Sequence, residues 1–262
     1  MNSVRVLAIA CFSAVALSSC GADTEPTGET APAPTTSVSG TVTVLAAASL
    51  TESFEQLGEQ LSAEYPGLEV VLSFGPSSAL VEQVLAGAPA DVLATADTRT
   101  MDNAVAGGAV EGEWEVFARN TLTLAVPAGN PGEVTGLADL AKPELRVAIC
   151  EPEVPCGAAS ERLLAAAGVK AAPDTLTTDV KEATSLVSLG EADAALIYRT
   201  DAAAEGDAVE TIEVPEADEV VNDYAVAILV HAPNPDGAQV VVDAITGESG
   251  QAILADAGFL EP

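Results

Sequence analysis

The sequence predicts an α/β protein built as two lobes with a ligand cleft between them. Short β-branched runs alternate with segments whose apolar residues recur at helical spacing. That is the pattern of a parallel sheet with helices on both faces. The alternation runs to Thr95 and restarts at Thr121, giving two successive units with no sequence repeat between them. The roughly 220 residues after Ser39 suffice for one large lobe or two small ones.

Residues 41–46 (TVTVLA) read as a buried strand. Residues 49–65 follow as a helix, with Leu50, Phe54, Leu57, Leu61 and Tyr65 on one face and Pro66-Gly67 as the stop. Residues 68–74 are a second strand, 77–86 a second helix and 90–95 (ADVLAT) a third strand. In the second unit, residues 121–127 (TLTLAVP), 146–149 and 194–198 (AALIY) read as strands. Residues 158–167 and 180–189 read as helices ending at Gly168 and Gly190. Residues 224–231 (YAVAILVH) are a further strand, and helices over 238–245 and 249–257 close the chain.

The N-terminal end points outside the cytoplasm. Arg5 precedes residues 6–17, which are almost wholly apolar. That stretch is too short to span a bilayer and has the make-up of a signal-peptide core. Leu17-Ser18-Ser19-Cys20-Gly21 resembles the bacterial lipobox. The resemblance implies removal of residues 1–19 and lipidation of Cys20, holding the exported protein on the outer face of the cell membrane. Several acyl chains anchor stably where one does not. Residues 20–39, rich in Thr, Pro, Ala and Gly, read as a flexible tether.

Forty Asp and Glu stand against nine Lys and Arg, a formal charge of −31. This argues against a nucleic-acid or anionic-membrane surface. It also repels anions at long range, although salt screens that field over about 8 Å. Capture of an anion would therefore rest on local donors. Once Cys11 and Cys20 are set aside, Cys150 and Cys156 remain, and in an exported chain a disulfide between them is expected. A metal site is the alternative, but no Cys or His cluster completes it, His231 being the single histidine.

Ligands of open α/β sheets bind beyond the carboxyl ends of the strands. Four turns there share a chemistry: Ala46-Ala47-Ala48-Ser49-Leu50, Phe74-Gly75-Pro76-Ser77-Ser78, Glu153-Val154-Pro155-Cys156-Gly157 and Thr177-Thr178-Asp179-Val180. Each sets small or hydroxyl residues at a helix start, where unpaired N–H groups and the positive dipole end form an anion site without a cationic side chain. Taken singly, each turn reads better as plain capping, Asp179 above all, and the anion reading rests on the four together.

Taken together, these segments resemble the molybdate-binding proteins of ABC transporters. The resemblance is carried by Ala46 to Leu50, by Phe74-Gly75-Pro76-Ser77-Ser78-Ala79-Leu80 and by Gly87-Ala88-Pro89-Ala90-Asp91-Val92. Ala96-Asp97, Met101-Asp102, Glu151 to Gly157, Asp179-Val180 and Ile197-Tyr198-Arg199-Thr200-Asp201 complete it. It implies a two-lobed periplasmic-binding-protein-like fold of type II. The first lobe would be residues 40–122 and 232–262, and the second 123–231. It further implies a monomer that captures molybdate or tungstate, uses no cofactor and delivers its ligand to the membrane permease of an ABC importer. Ser49 and Ser77 would donate hydroxyls, Cys156 and Val180 backbone N–H groups, and Tyr198 its phenol. The family pattern has a small residue at the position of Cys156, a change that a backbone donor tolerates.

Molybdate at neutral pH is a dianion with four acceptor oxygens and no proton, so an ideal site offers donors only. A phosphate site would want an acceptor for the ligand's own proton. Sulfate also lacks a proton, so donor chemistry does not separate it from molybdate; cavity size would. An enzyme is the rival from another class, with Ser49 or Ser77 as nucleophile. No Gly-x-Ser-x-Gly elbow is present, and His231 sits at a strand end before Ala-Pro. A regulatory sensor of the same fold would need a DNA-binding segment in place of the export signal.

Overall fold

The computed structural model describes residues 38–262. The expected signal peptide and Cys20 lie outside these residues, as does the tether up to residue 37. The described residues take in Val38 and Ser39, before the expected start near Gly40. Val38 packs against the core, and the Ser39 carbonyl accepts a hydrogen bond from Asn234 Nδ2 at 3.1 Å.

The first unit is β1 (Gly40–Ala47), a 3-10 turn (Ala48–Leu50), α1 (Thr51–Glu64), β2 (Leu68–Gly75), α2 (Ser77–Leu85), β3 (Val92–Thr95) and α3 (Thr98–Ala106). The long strand β4 (Glu115–Pro127) leads into β5 (Val147–Cys150), α4 (Pro155–Ala166), β6 (Thr175–Thr177), α5 (Val180–Ser188), β7 (Ala194–Tyr198), α6 (Arg199–Ala204) and β8 (Val209–Ile212). The chain returns through β9 (Val221–Ile228) and ends in α7 (Pro235–Thr246) and α8 (Glu248–Asp256).

Hydrogen-bonded strands run in the order β2-β1-β3-β9-β4-β7-β5-β6, with β8 beside β4. Residues 115–121 of β4 pair with β9, whereas residues 122–127 pair with β7 and β8. β4 is therefore the strand on which the chain crosses between lobes, and residues 213–220 carry it back. This explains why β4 begins six residues before the strand expected at Thr121. It also corrects the expected boundary: β9 pairs with β3, so residues 221–228 belong to the first lobe's sheet and not to the second lobe. The sheet is likewise not wholly parallel. β1–β2, β1–β3, β5–β6 and β5–β7 are parallel, while every pairing of β4 and β9 is antiparallel. The returning strand enters from the far lobe with no helical crossover to reverse it.

Strand alternation gives the first lobe two cores. Val42, Val44 and Ala46 of β1 face Phe54 and Leu57 of α1, while Leu45 and Leu93 face Met101 and Leu80 on the other side. In the second lobe Leu124, Leu163, Val187 and Leu196 centre a third cluster. Ala48, on the turn after β1, packs into that cluster, so the lobes touch across the cleft. The helix expected from residue 158 starts at Pro155, since proline at the first helical position needs no N–H partner.

Candidate functional site

Four helix starts converge on one cavity of about 20 Å³, more than the roughly 10–15 Å³ a single water needs and fit only for a small solute. Ala47, Ala48 and Ser49 come from the turn after β1, and Gly75, Pro76 and Ser77 from the β2–α2 turn. Val154, Pro155 and Cys156 open α4, Asp179 and Val180 open α5, and Ala96 and Tyr198 complete the wall. All five residues nominated from the sequence, Ser49, Ser77, Cys156, Val180 and Tyr198, thus line a single space. No Lys or Arg is among the described residues lining it. His231 is exposed beyond β9 and takes no part.

Plain capping accounts for one turn of the four. Asp179 caps α5, its Oδ1 accepting the Glu182 N–H at 2.9 Å, so its carboxylate is turned toward its own helix. At the other three, the residues before the helix are Ala47, Pro76 and Val154, and none makes a side-chain cap. The first N–H groups of those helices have no intrahelical partner, and they open at the cavity.

Each of the three hydroxyls has a polar partner, and two of them accept from it. Ser77 Oγ accepts from the Ala96 N–H at 3.1 Å, which leaves its proton free. Tyr198 Oη accepts from Asn222 Nδ2 at 2.8 Å. Ser49 Oγ lies 2.8 Å from Tyr224 Oη, which in turn lies 3.5 Å from Asn120 Nδ2. Asn120 and Asn222 are direct partners in the β4–β9 ladder, at the point where the chain crosses between lobes. Burial, reinforced by Tyr224, Asp97 and Asp201, holds the Tyr198 phenol well above its ordinary pKa. It remains a protonated donor throughout the neutral range.

Beside the cavity, Lys181 of α5 reaches across the cleft. Its Nζ lies 2.7 Å from Glu52 of α1 and 3.0 Å from Asp201 of α6. Asp201 is 1 % exposed, and neither of its oxygens makes a well-aligned hydrogen bond. Burial raises its carboxyl pKa from 3.8 to about 6 against the opposing pull of Lys181, with Glu52 and Asp179 adding to the rise. Burial works against the Lys181 charge, but Asp201 and Glu52 outweigh it and raise that pKa. Arg99 of α3 adds a second bridge between lobes, donating to the Glu153 carbonyl at 3.2 Å.

Cys150 and Cys156 are joined, with their Cα atoms 5.8 Å apart. The bond ties the end of β5 to the first turn of α4. Gly157 lies under this loop, where an added Cβ would stand 1.8 Å from the Glu151 carbonyl oxygen. The sequence reading missed Asn120, Asn222, Tyr224, Arg162 and Lys181. The two asparagines carried the one available signal, as polar residues within otherwise buried strands.

The described sequence and fold find counterparts in known proteins. The model of the family described as bacterial extracellular solute-binding protein matches residues 42–260. The molybdate-binding protein ModA of Mycobacterium tuberculosis H37Rv is 39% identical, over 94% of this chain and 93% of that protein. The chain belongs to the ModA family of bacterial extracellular solute-binding proteins. Structures of the fold include the periplasmic molybdate-binding protein of Azotobacter vinelandii, with a TM-score of 0.71 and 24% identity, covering 84% of this chain and 99% of that one. The sulfate-binding protein SubI of Mycobacterium tuberculosis H37Rv has a TM-score of 0.71 and 22% identity, covering 84% and 86%. The two-lobed periplasmic-binding-protein architecture of this ModA-family chain is thus shared with proteins named for two different oxyanions.

Proposed function

We propose that this protein captures molybdate, and tungstate with it, in the cavity between its lobes and delivers it to an ABC importer. One observation carries the reading: three uncapped helix starts and three hydrogen-bonded hydroxyls meet at one small cavity. Such a wall is rich in proton donors, which suits an oxyanion that carries no proton. Ser49, Ser77 and Tyr198 act as hydroxyl donors, and Cys156 and Val180 donate through their backbones. The ligand draws on both lobes, so binding favours the closed arrangement. The export signal and Cys20 support a lipid-anchored protein on the outer face of the cell membrane, acting as a monomer beside its permease.

Calorimetric titration of the mature protein with molybdate, tungstate, sulfate and phosphate tests this. Molybdate and tungstate should bind about equally, and phosphate far more weakly. At a thousandfold its dissociation constant, molybdate should stabilise the fold by about 4 kcal/mol, read as a raised Tm. Absence of molybdate binding, or phosphate binding of equal strength, would overturn the proposal. Tighter sulfate than molybdate binding would keep the mechanism and change the ligand.

A further inference from the structure

We propose that Asn222, held by Arg162, makes the site reject oxyanions that carry a proton, by fixing the Tyr198 hydroxyl as a pure donor toward the cavity. The inference rests on the oxyanion reading above and assigns its selectivity to two residues outside the cavity wall.

The amide of Asn222 is fixed from both ends. Its Nδ2 donates to the Ala96 carbonyl at 3.0 Å and to Tyr198 Oη at 2.8 Å. Its Oδ1 accepts from Arg162 Nη2. Turned over, the amide would set its oxygen against the Ala96 carbonyl and its NH2 against a guanidinium. Those are acceptor against acceptor and donor against donor, so one orientation satisfies the network. Asn222 and Tyr198 are 2 % and 1 % exposed, leaving no bulk water to compensate a reversed bond.

The consequence falls on the phenol. With a lone pair taken by Asn222, Tyr198 keeps one proton to give. The neighbouring Tyr224 hydroxyl is engaged with Ser49 Oγ at 2.8 Å. Tyr198 lines the cavity, within which that proton has a ligand oxygen to meet. A bare oxyanion oxygen accepts it. Hydrogen phosphate presenting its own O–H there meets a proton, and a buried donor is left facing a donor. Sites with fixed hydrogen-bond polarity reject such mismatches strongly. The network also spans the cleft. Arg162 and Tyr198 belong to α4 and β7 of the second lobe, whereas Asn222 lies on β9 of the first lobe's sheet and Ala96 directly follows β3. The polarity is therefore set where the lobes meet.

The test is titration of wild type, Asn222→Ala, Tyr198→Phe and the double variant with molybdate, sulfate and phosphate. Asn222→Ala frees the phenol to turn toward the vacated Ala96 carbonyl and to accept from a ligand. Its preference for molybdate over phosphate should narrow about tenfold, the scale of one hydrogen bond. Its preference for molybdate over sulfate should not change. With Phe at 198, the alanine at 222 should have no further effect on either ratio, because Asn222 acts through that hydroxyl. Equal weakening for all three anions, or an effect on the phosphate ratio that persists without the hydroxyl, would overturn the proposal. If Asn222→Ala does not fold, Arg162→Leu with a thermal melt replaces it: a smaller narrowing supports the proposal and an unchanged ratio overturns it. A wild type that binds no molybdate would instead remove the function proposed above.

Discussion

The two lobes meet the cavity with different chemistry. The first brings Ser49 and Ser77, buried side chains whose oxygens are engaged by Tyr224 and Ala96. Beside the Tyr198 phenol, the second brings the helix starts at Cys156 and Val180, where residue identity matters less than backbone path, and secures that path with a disulfide and a glycine. Donors of the first kind are lost by changing a side chain. Donors of the second kind are lost by moving a loop. The same task, offering protons to a small anion, thus has one solution that depends on residue type and another that depends on geometry.

The largest effect expected is on the first-lobe side. Ser49→Ala and Ser77→Ala should each weaken molybdate binding about ten- to hundredfold, since a hydrogen bond to a charged group contributes roughly 1.5–3 kcal/mol. Calorimetry on folded variants checks this, and losses below threefold at both positions would erase the contrast between the lobes.

On the second-lobe side, Gly157→Ala changes no donor yet should weaken binding. A Cβ at 1.8 Å from the Glu151 oxygen must push the 151–156 loop away from its place. Overpacking of this kind costs about 1–3 kcal/mol of stability, and affinity should fall with it. A variant that keeps both its Tm and its affinity would show that the loop's path is not what matters.

Replacing both Cys150 and Cys156 by serine should act more gently. The seven-residue ring contributes about 2 kcal/mol in the chain-entropy model. The backbone N–H at position 156 survives, so affinity should fall a few-fold through lost preorganisation and no further. Denaturant melts and titration together read the two effects. Complete loss of binding in a folded variant would mean the cysteine side chains themselves serve the ligand.

The last effect is on stability and not on affinity, and lies between the lobes, at Asp201. Its carboxyl is raised from 3.8 in the ordinary state to about 6 in the fold, so the native state holds that proton more tightly than the unfolded chain. The resulting stability is fully present below about pH 4 and lost as the pH rises through about 6. Asp201→Asn lacks this titration. The variant's stability relative to wild type should therefore climb between pH 4 and 6 and level off above. A difference that is flat across that window would show that Lys181 holds the carboxylate charged throughout.

Much of this was legible in the sequence because it is local. The apolar run 194–198 matches β7 residue for residue, and the turns at Ser49 and Ser77 announce themselves by small residues between a strand and a helical pattern. What escaped was long-range or weakly patterned. β9 looks like any buried strand, and only its pairing with β3 shows to which lobe it belongs. α3 is a polar run (TRTMDNAVA) whose start depends on the Asp97 cap at the Thr100 N–H. β6, α6 and β8 are too short to show a period. The capping reading of the four turns was settled by geometry alone, because Ala47, Pro76 and Val154 differ from Asp179 in having no side chain that caps. Asn120 and Asn222 could not be connected to the site while the partners across β4 and β9 were unknown.

The central claim is that one oxyanion sits where these unlike donors meet. Anomalous scattering from crystals grown with molybdate or tungstate tests it most directly, because the metal locates itself without reference to the protein's chemistry. The account expects a single strong peak enclosed by Ser49, Ser77, Cys156, Val180 and Tyr198, in a closed arrangement with Lys181 still bridging to Glu52. A peak at another place, or none at saturating ligand in well-ordered crystals, would contradict it.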